Sequence, residues 1–296
     1  MAHIIPPKLQ KGDTIAIVST ARKISRQEIE PAKNFLEQQG FKVVLGKNLF
    51  AEYHQFAGKD RQRAEDFQDA IENPDVKAVW CARGGYGTVR LLPLIDFSAL
   101  RENPKWIVGY SDVTVLHSYI HQQLDMATLH ATMPINFTTN TPESWQSAID
   151  ALTGKAYTVP LNGEKKRFKE NINGELVGGN LSILYSLTGT PAQIDTKGKI
   201  LFIEDLDEYL YHIDRMMMNL KLSGMFENLK ALLVGGMTNM HDNTVPFGKT
   251  AKEIIIDAVL EYDYPVIFDV PAGHTKNNYA LIFGKVVEVT GQEMLF

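Results

Sequence analysis

A single cysteine, Cys81, in 296 residues excludes an intrachain disulfide and any cysteine-rich metal site. Its apolar neighbours Val79 and Trp80 mark it as an inert core thiol. No stretch approaches the roughly 18 consecutive apolar residues of a membrane span. The opening Met1-Ala2-His3-Ile4-Ile5-Pro6-Pro7 has no basic segment followed by an apolar one, so the cytoplasm is the expected location. Basic residues are outnumbered 35 to 30, for a net charge of −5, and no dense Lys/Arg stripe is interleaved with aromatics. Nucleic acid is therefore not an expected partner. The densest basic run, Lys165-Lys166-Arg167, reads as a solvated loop. No HExxH or comparable ligand spacing, dinucleotide fingerprint or P-loop is present, so no metal or cofactor is expected. Repeats and low-complexity segments are missing too. What remains, 44% hydrophobic and 22% charged, is the composition of an ordinary globule long enough for two domains.

Apolar runs alternate with helical periodicity through the first half. Strands are expected at Thr14–Val18, Phe41–Leu45, Ala78–Ala82 and Trp106–Val108. Helices are expected near Ser25–Gln39, stopped by Gly40, and Asp60–Ile71, broken by Asn73-Pro74, with another carrying Leu116, Tyr119, Ile120 and Leu124. Such alternation implies right-handed βαβ units and a parallel sheet, whose ligands lie beyond the carboxyl ends of the strands. The rhythm changes after Phe137, and 155–175 has little periodicity, as expected of a linker or crossover. The second half shows strands near Ile200–Ile203, Ala231–Val234, Val266–Phe268 and Val286–Val289, with helices near Leu210–Leu222 and Thr250–Leu260.

Four stretches could carry chemistry. Gly109-Tyr110-Ser111-Asp112 lies between strand and helix, where a serine can project its Oγ beside the helix's first N–H groups. The second glycine of G-x-S-x-G is replaced by Val113, and a serine there can equally cap the helix. Arg83-Gly84-Gly85-Tyr86-Gly87 could aim backbone N–H groups at an oxyanion, or simply turn the chain. Leu201-Phe202-Ile203-Glu204-Asp205-Leu206-Asp207-Glu208 places four carboxylates just past an apolar strand. Glu204, adjoining the apolar run, could orient an imidazole; otherwise the group is a solvated acidic helix start. Val270-Pro271-Ala272-Gly273-His274 offers a loop histidine, with His117, His130, His212 and His241 as rivals. Met216-Met217-Met218 reads as core packing.

Together these stretches, with Thr114 and His117, Gly178-Gly179-Asn180-Leu181 and Asp214-Arg215-Met216, resemble in order the LD-carboxypeptidase family, serine peptidases that include murein tetrapeptide carboxypeptidases and microcin C immunity proteins. The resemblance spans roughly residues 12 to 290. It implies a Ser–His–Glu triad on Ser111, His274 and Glu204, with an oxyanion hole from the N–H groups of Asp112 and of the Gly84-Gly85 turn. Arg83 is the expected partner of the substrate carboxylate, and Tyr86 is a second candidate substrate contact. The fold expected is α/β. An N-terminal, flavodoxin-like parallel-sheet domain (1–154) would bear the nucleophile, and a smaller C-terminal α/β domain (176–296) would carry the glutamate and histidine across the linker at 155–175. The implied reaction removes D-Ala from the meso-diaminopimelate of a muropeptide tetrapeptide during cytoplasmic wall recycling, by an enzyme without cofactor that pairs as a homodimer.

His130-Ala131-Thr132-Met133-Pro134 departs from the His-Gly-Pro-Met expected of the family, which puts the local loop and the substrate fit in question. Two other readings compete. A microcin C-like immunity peptidase would cleave an aminoacyl-nucleotide amide and stack its base on Trp106, Tyr86 or Tyr110. A non-catalytic small-molecule binding protein would use the same scaffold without the chemistry.

Overall fold

The computed structural model describes residues 4–296. Its first half holds strands β1 (Thr14–Val18), β2 (Lys42–Leu45), β3 (Val76–Cys81), β4 (Trp106–Gly109) and β5 (Thr128–His130), and helices α1 (Arg26–Gln38), α2 (Asp60–Glu72), α3 (Ser98–Glu102), α4 (Thr114–Leu124) and α5 (Pro142–Thr153). The strands pair in parallel in the order β2-β1-β3-β4-β5, the flavodoxin arrangement. Local chemistry sets the helix ends. Ser25 and Glu28 close a capping box at the start of α1, and Gly154, at φ 68°, takes the left-handed position that ends α5. Apolar side chains cover both faces of the sheet: Leu36, Trp80, Val108 and Trp145 belong to one cluster, Phe67, Val79, Ile107 and Leu116 to the other. Strand order reverses between β1 and β3, so the loops leaving them diverge and open a crevice at their carboxyl ends.

The second half holds β6 (Thr158–Pro160), β7 (Lys165–Lys166), β8 (Ile172–Asn180), β9 (Ile200–Leu206), β10 (Ala231–Thr238), β11 (Val266–Ile267), β12 (Leu281–Phe283), β13 (Val286–Val289) and β14 (Glu293–Leu295), with helices α6 (Leu181–Ser186), α7 (Leu210–Leu222) and α8 (Ala251–Ala258). Eight of these strands form a mixed sheet in the order β6-β14-β13-β8-β9-β10-β11-β7, whose centre, β8 to β11, is parallel. The ninth, β12, crosses back and pairs antiparallel with β5, completing the first sheet.

Residues 155–175, expected as a linker, contribute β6, β7 and the start of β8 to the second sheet. Strands of two or three residues are too short to show a period, which hid β6 and β7. Lys165-Lys166-Arg167 is likewise not a solvated loop. The lysines form β7 against β11, and the Arg167 guanidinium donates to the carbonyls of Val259, Leu260 and Tyr264 just beyond α8.

The two sheets meet where β8 ends. The Asn180 N–H donates to Thr114 Oγ1 at 3.0 Å, so the first residue of α4 bonds directly to the second domain. Gly179 has φ 145°, and a Cβ there would stand 2.5 Å from both Oγ1 and Cγ2 of Thr114. Gly179→Ala is therefore expected to cost about 2–4 kcal/mol of stability through backbone strain and overpacking, read as a lowered denaturant midpoint. A midpoint equal to that of the parent would contradict this close approach.

Candidate active site

Ser111 follows β4 at φ 63°, in the left-handed region that serine seldom occupies. A short 3-10 turn over Ser111–Val113 leads into α4. The cap positions of the turn and of the helix are Tyr110 and Val113, neither with a side-chain cap bond, so Ser111 caps neither. Its neighbour Asp112 is buried, and its carboxylate accepts the Thr88 N–H at 2.8 Å, tying the serine turn to the end of the glycine-rich loop after β3. Burial pushes the Asp112 carboxyl above the usual range, against its bonds to Thr88 and the charge of Arg63. Gly84 lies directly against the serine: a Cβ on it would be 3.0 Å from Ser111 Cβ and 3.1 Å from Oγ. Gly85, at φ 116°, passes closer still to Arg22, where a Cβ would collide with Cδ.

Ser111 lines a cavity of about 470 Å³. Arg22, Arg83, Gly84 and Gly85 border it from the loops after β1 and β3, and Met133, Ile135 and Asn136 from the segment after β5. Leu206, Asp207, Glu208 and His274 border it from the second domain.

Glu204 sits within β9, fully buried, rather than past the strand end. Its Oε2 accepts two bonds from His274, Nδ1 at 2.7 Å and the backbone N–H at 3.0 Å. Gly273, at φ 91°, makes room for this, since a Cβ there would fall 2.5 Å from Glu204 Cγ. Burial would raise the Glu204 carboxyl, but attraction to His274, the hydrogen bonds and His130 outweigh it and hold the group below the ordinary value. For His274 burial works downward, while the Glu204 charge and hydrogen bond, with Asp205, prevail and lift the imidazole above its usual 6.5. The Tyr110 ring packs on that imidazole, with centroids 4.8 Å apart, and its hydroxyl donates to Asn136 Oδ1.

Asp205 is buried beside Glu204 and accepts from Asn180 Nδ2, the Ser182 N–H and the Leu206 N–H. Burial and the Glu204 charge push its carboxyl up to about 7. Asn180 Nδ2 also lies 3.4 Å from Glu204 Oε1, so one amide touches both acids.

The rival histidines have other places. His117 and His130 are fully enclosed, and burial drives them down to about 4 and about 3. His212 pairs with Glu208 and His241 with Asp207. Met216 and Met217 are core residues of the second domain, whereas Met218 is exposed. Among the described residues, no group of three or more His, Cys, Asp or Glu is arranged to hold a metal ion, and no helix is long and apolar enough to cross a membrane.

The structure thus brings Ser111, His274, Arg83 and the Gly84-Gly85 turn to one cavity, with Glu204 buried behind His274. Tyr86 is not on its wall; it is 48% exposed and packs beside Phe56. Arg22 and Asn136 line the cavity without having been singled out. The signal for Arg22 was its loop directly after β1, at the same sheet edge as the glycine-rich loop. The divergent His130-Ala131-Thr132-Met133-Pro134 is firmly held without a Gly-Pro turn: the Thr132 carbonyl accepts from Trp80 Nε1, Thr132 Oγ1 donates to Asn140 Oδ1, and the Ile135 N–H donates to the Ala82 carbonyl.

Comparison with known proteins agrees along the chain. Residues 15–131 match the LD-carboxypeptidase N-terminal domain and residues 173–289 the LD-carboxypeptidase C-terminal domain. A probable murein peptide carboxypeptidase of Bacillus subtilis is 38% identical, over 94% of this chain and 89% of its own. The crystal structure of a muramoyltetrapeptide carboxypeptidase from Oxalobacter formigenes is 28% identical, covers 95% of this chain and 97% of its own, and superposes with a TM-score of 0.85. The microcin C7 self-immunity protein MccF, solved with aspartyl sulfamoyl adenosine, shares the fold at a TM-score of 0.90 and 24% identity, over 99% of this chain and 98% of its own.

Proposed function

Because the chain belongs to the LD-carboxypeptidase family of serine peptidases, we propose that it hydrolyses the amide between an L-configured centre, meso-diaminopimelate, and the terminal D-Ala of muropeptide tetrapeptides, with Ser111 as nucleophile. His274 takes the Ser111 proton as general base and returns it to the leaving amine. Glu204 fixes the imidazole with Nδ1 protonated and stabilises the imidazolium. The observation that carries this reading is the His274–Glu204 bond at 2.7 Å, made by a fully buried carboxylate, on a histidine that shares a cavity with a serine held at φ 63°.

Attack on the scissile carbonyl creates an oxyanion. Its donors in this reading are the Asp112 N–H, next to the serine, and those of the Gly84-Gly85 turn, which borders the same cavity. Arg83, together with Arg22, supplies positive charge for the D-Ala carboxylate. The reading extends to a homodimer acting in the cytoplasm on wall fragments returned for recycling.

The microcin-type reaction would need an aromatic face free to stack a purine. Of the three candidates, Trp106 is buried with Nε1 bonded to the Pro7 carbonyl, Tyr86 lies off the cavity and Tyr110 is packed on His274. The geometry therefore favours the peptide. Mass spectrometry of L-Ala-γ-D-Glu-meso-diaminopimelate-D-Ala incubated with the protein should show loss of one alanine. An intact tetrapeptide, with cleavage of an aminoacyl-nucleotide instead, would replace this reading with the microcin one.

A further inference from the structure

The charges bordering the Ser111 cavity are divided by domain. Both arginines, Arg22 and Arg83, come from the first domain, and both carboxylates, Asp207 and Glu208, from the turn after β9 in the second. A ligand lying across the cavity meets cations on one wall and anions on the other. If the C-terminal carboxylate faces the arginines, as the proposed reaction has it, the acyl side of the scissile amide runs toward the acids.

The two acids are not equivalent. Asp207 Oδ1 accepts from His241 Nε2 at 2.6 Å, yet its side chain is 71% exposed. Glu208 Oε2 accepts from His212 Nδ1 at 2.5 Å, and its side chain is only 20% exposed. The Glu208 backbone is pinned as well, its carbonyl accepting the His241 N–H at 2.8 Å. A carboxylate can accept at both oxygens, and the histidine occupies one and fixes the group's orientation. Being better screened from water, Glu208 makes the stronger charge-assisted bond.

We infer that Glu208 is a specificity-determining residue that receives the side-chain ammonium of the residue bearing the scissile carbonyl, so that the enzyme selects peptides with a diamino acid in the penultimate position. The inference rests on the proposed reaction for the direction in which the peptide lies. A neutral side chain would leave the carboxylate partly desolvated without its cationic partner, and an acidic one would meet like charge. Lysine presents the required amine alone; diaminopimelate presents it beside a second carboxylate, which must be turned away from Glu208, and the opposite arginines take the C-terminal carboxylate.

The test separates binding from turnover. Calorimetry measures L-Ala-γ-D-Glu-L-Lys-D-Ala and its Nε-acetyl-lysine counterpart against Ser111→Ala and against Ser111→Ala/Glu208→Gln. The free-amine peptide should bind Ser111→Ala at least about tenfold more tightly than the acetylated one, and Glu208→Gln should bring the two within about twofold. Equal binding of the two peptides to Ser111→Ala, or a preference that survives Glu208→Gln, overturns the inference. Turnover by the parent protein is scored separately. Hydrolysis without an amine preference overturns the role of Glu208 alone, and an amine preference without hydrolysis overturns the proposed reaction alone.

Discussion

Ser111→Ala is expected to lower kcat on the tetrapeptide by about 10³–10⁶-fold while leaving peptide affinity nearly unchanged. Loss of the hydroxyl would remove the proposed covalent route, whereas the arginines and the acidic wall proposed to hold the peptide stay in place. What catalysis remains would come from the oxyanion donors and from positioning, which do not depend on the serine. The variant should fold as the parent does, since the Ser111 side chain caps neither the 3-10 turn nor α4. Single-turnover mass spectrometry gives the rate and calorimetry the affinity. Retention of more than about a tenth of the parental kcat would exclude Ser111 as the nucleophile.

Glu204→Gln carries the second large effect. Nearly isosteric, it preserves packing but removes the charge that favours protonated His274, and its amide NH2 must face either His274 or the Asn180 Nδ2 donor, so the imidazole is no longer held in one tautomer. A fall in kcat of about 10³–10⁴-fold is expected, with little change in affinity. The pH profile gives an independent check. In the proposed mechanism His274 can accept the Ser111 proton only when neutral, so kcat/KM is expected to rise with pH through the imidazole's pKa. In the parent, burial pulls that pKa down, but the Glu204 charge and hydrogen bond lift it above the ordinary 6.5, and the acid limb lies correspondingly high. Without the carboxylate, burial acts with less opposition and the limb moves to lower pH. An acid limb that stays in place in Glu204→Gln would mean that a group which does not feel the Glu204 charge controls it, which excludes Asp205 as well as His274.

Part of this site was legible in the sequence because strand-end loops are where α/β sheets place their ligand contacts. Ser111 and the Arg83–Gly87 loop were found that way, and the expected parallel sheet has the flavodoxin order. Residue type could not decide between a nucleophile and a cap, since serine serves as both. The cap is excluded by where the turn and helix begin, at Tyr110 and Val113, with Ser111 itself at φ 63°, and the sequence displays neither. Glu204 and Asp205 were expected beyond their strand because unpaired carboxylates avoid burial. They lie inside it because Asn180 and His274, 24 and 70 positions away from Glu204, supply the donors that make burial tolerable. Arg22 escaped notice because an arginine in a polar loop looks like any other until the fold sets it against Gly85.

The return of β12 to the first sheet has a consequence for the order in which the molecule is made. Strand β5, which leads into the Met133–Asn136 wall of the cavity, gains its second neighbour only from Leu281–Phe283, about 150 positions later in the chain. While the ribosome is still building the second domain, the first exposes an unpaired edge at β5. His274 arrives just before that edge is closed, so the proposed base and the strand that completes the sheet bearing Ser111 come from one late segment. A nascent chain therefore carries Ser111 long before His274, and under the proposed mechanism hydrolytic competence would arise together with completion of the fold.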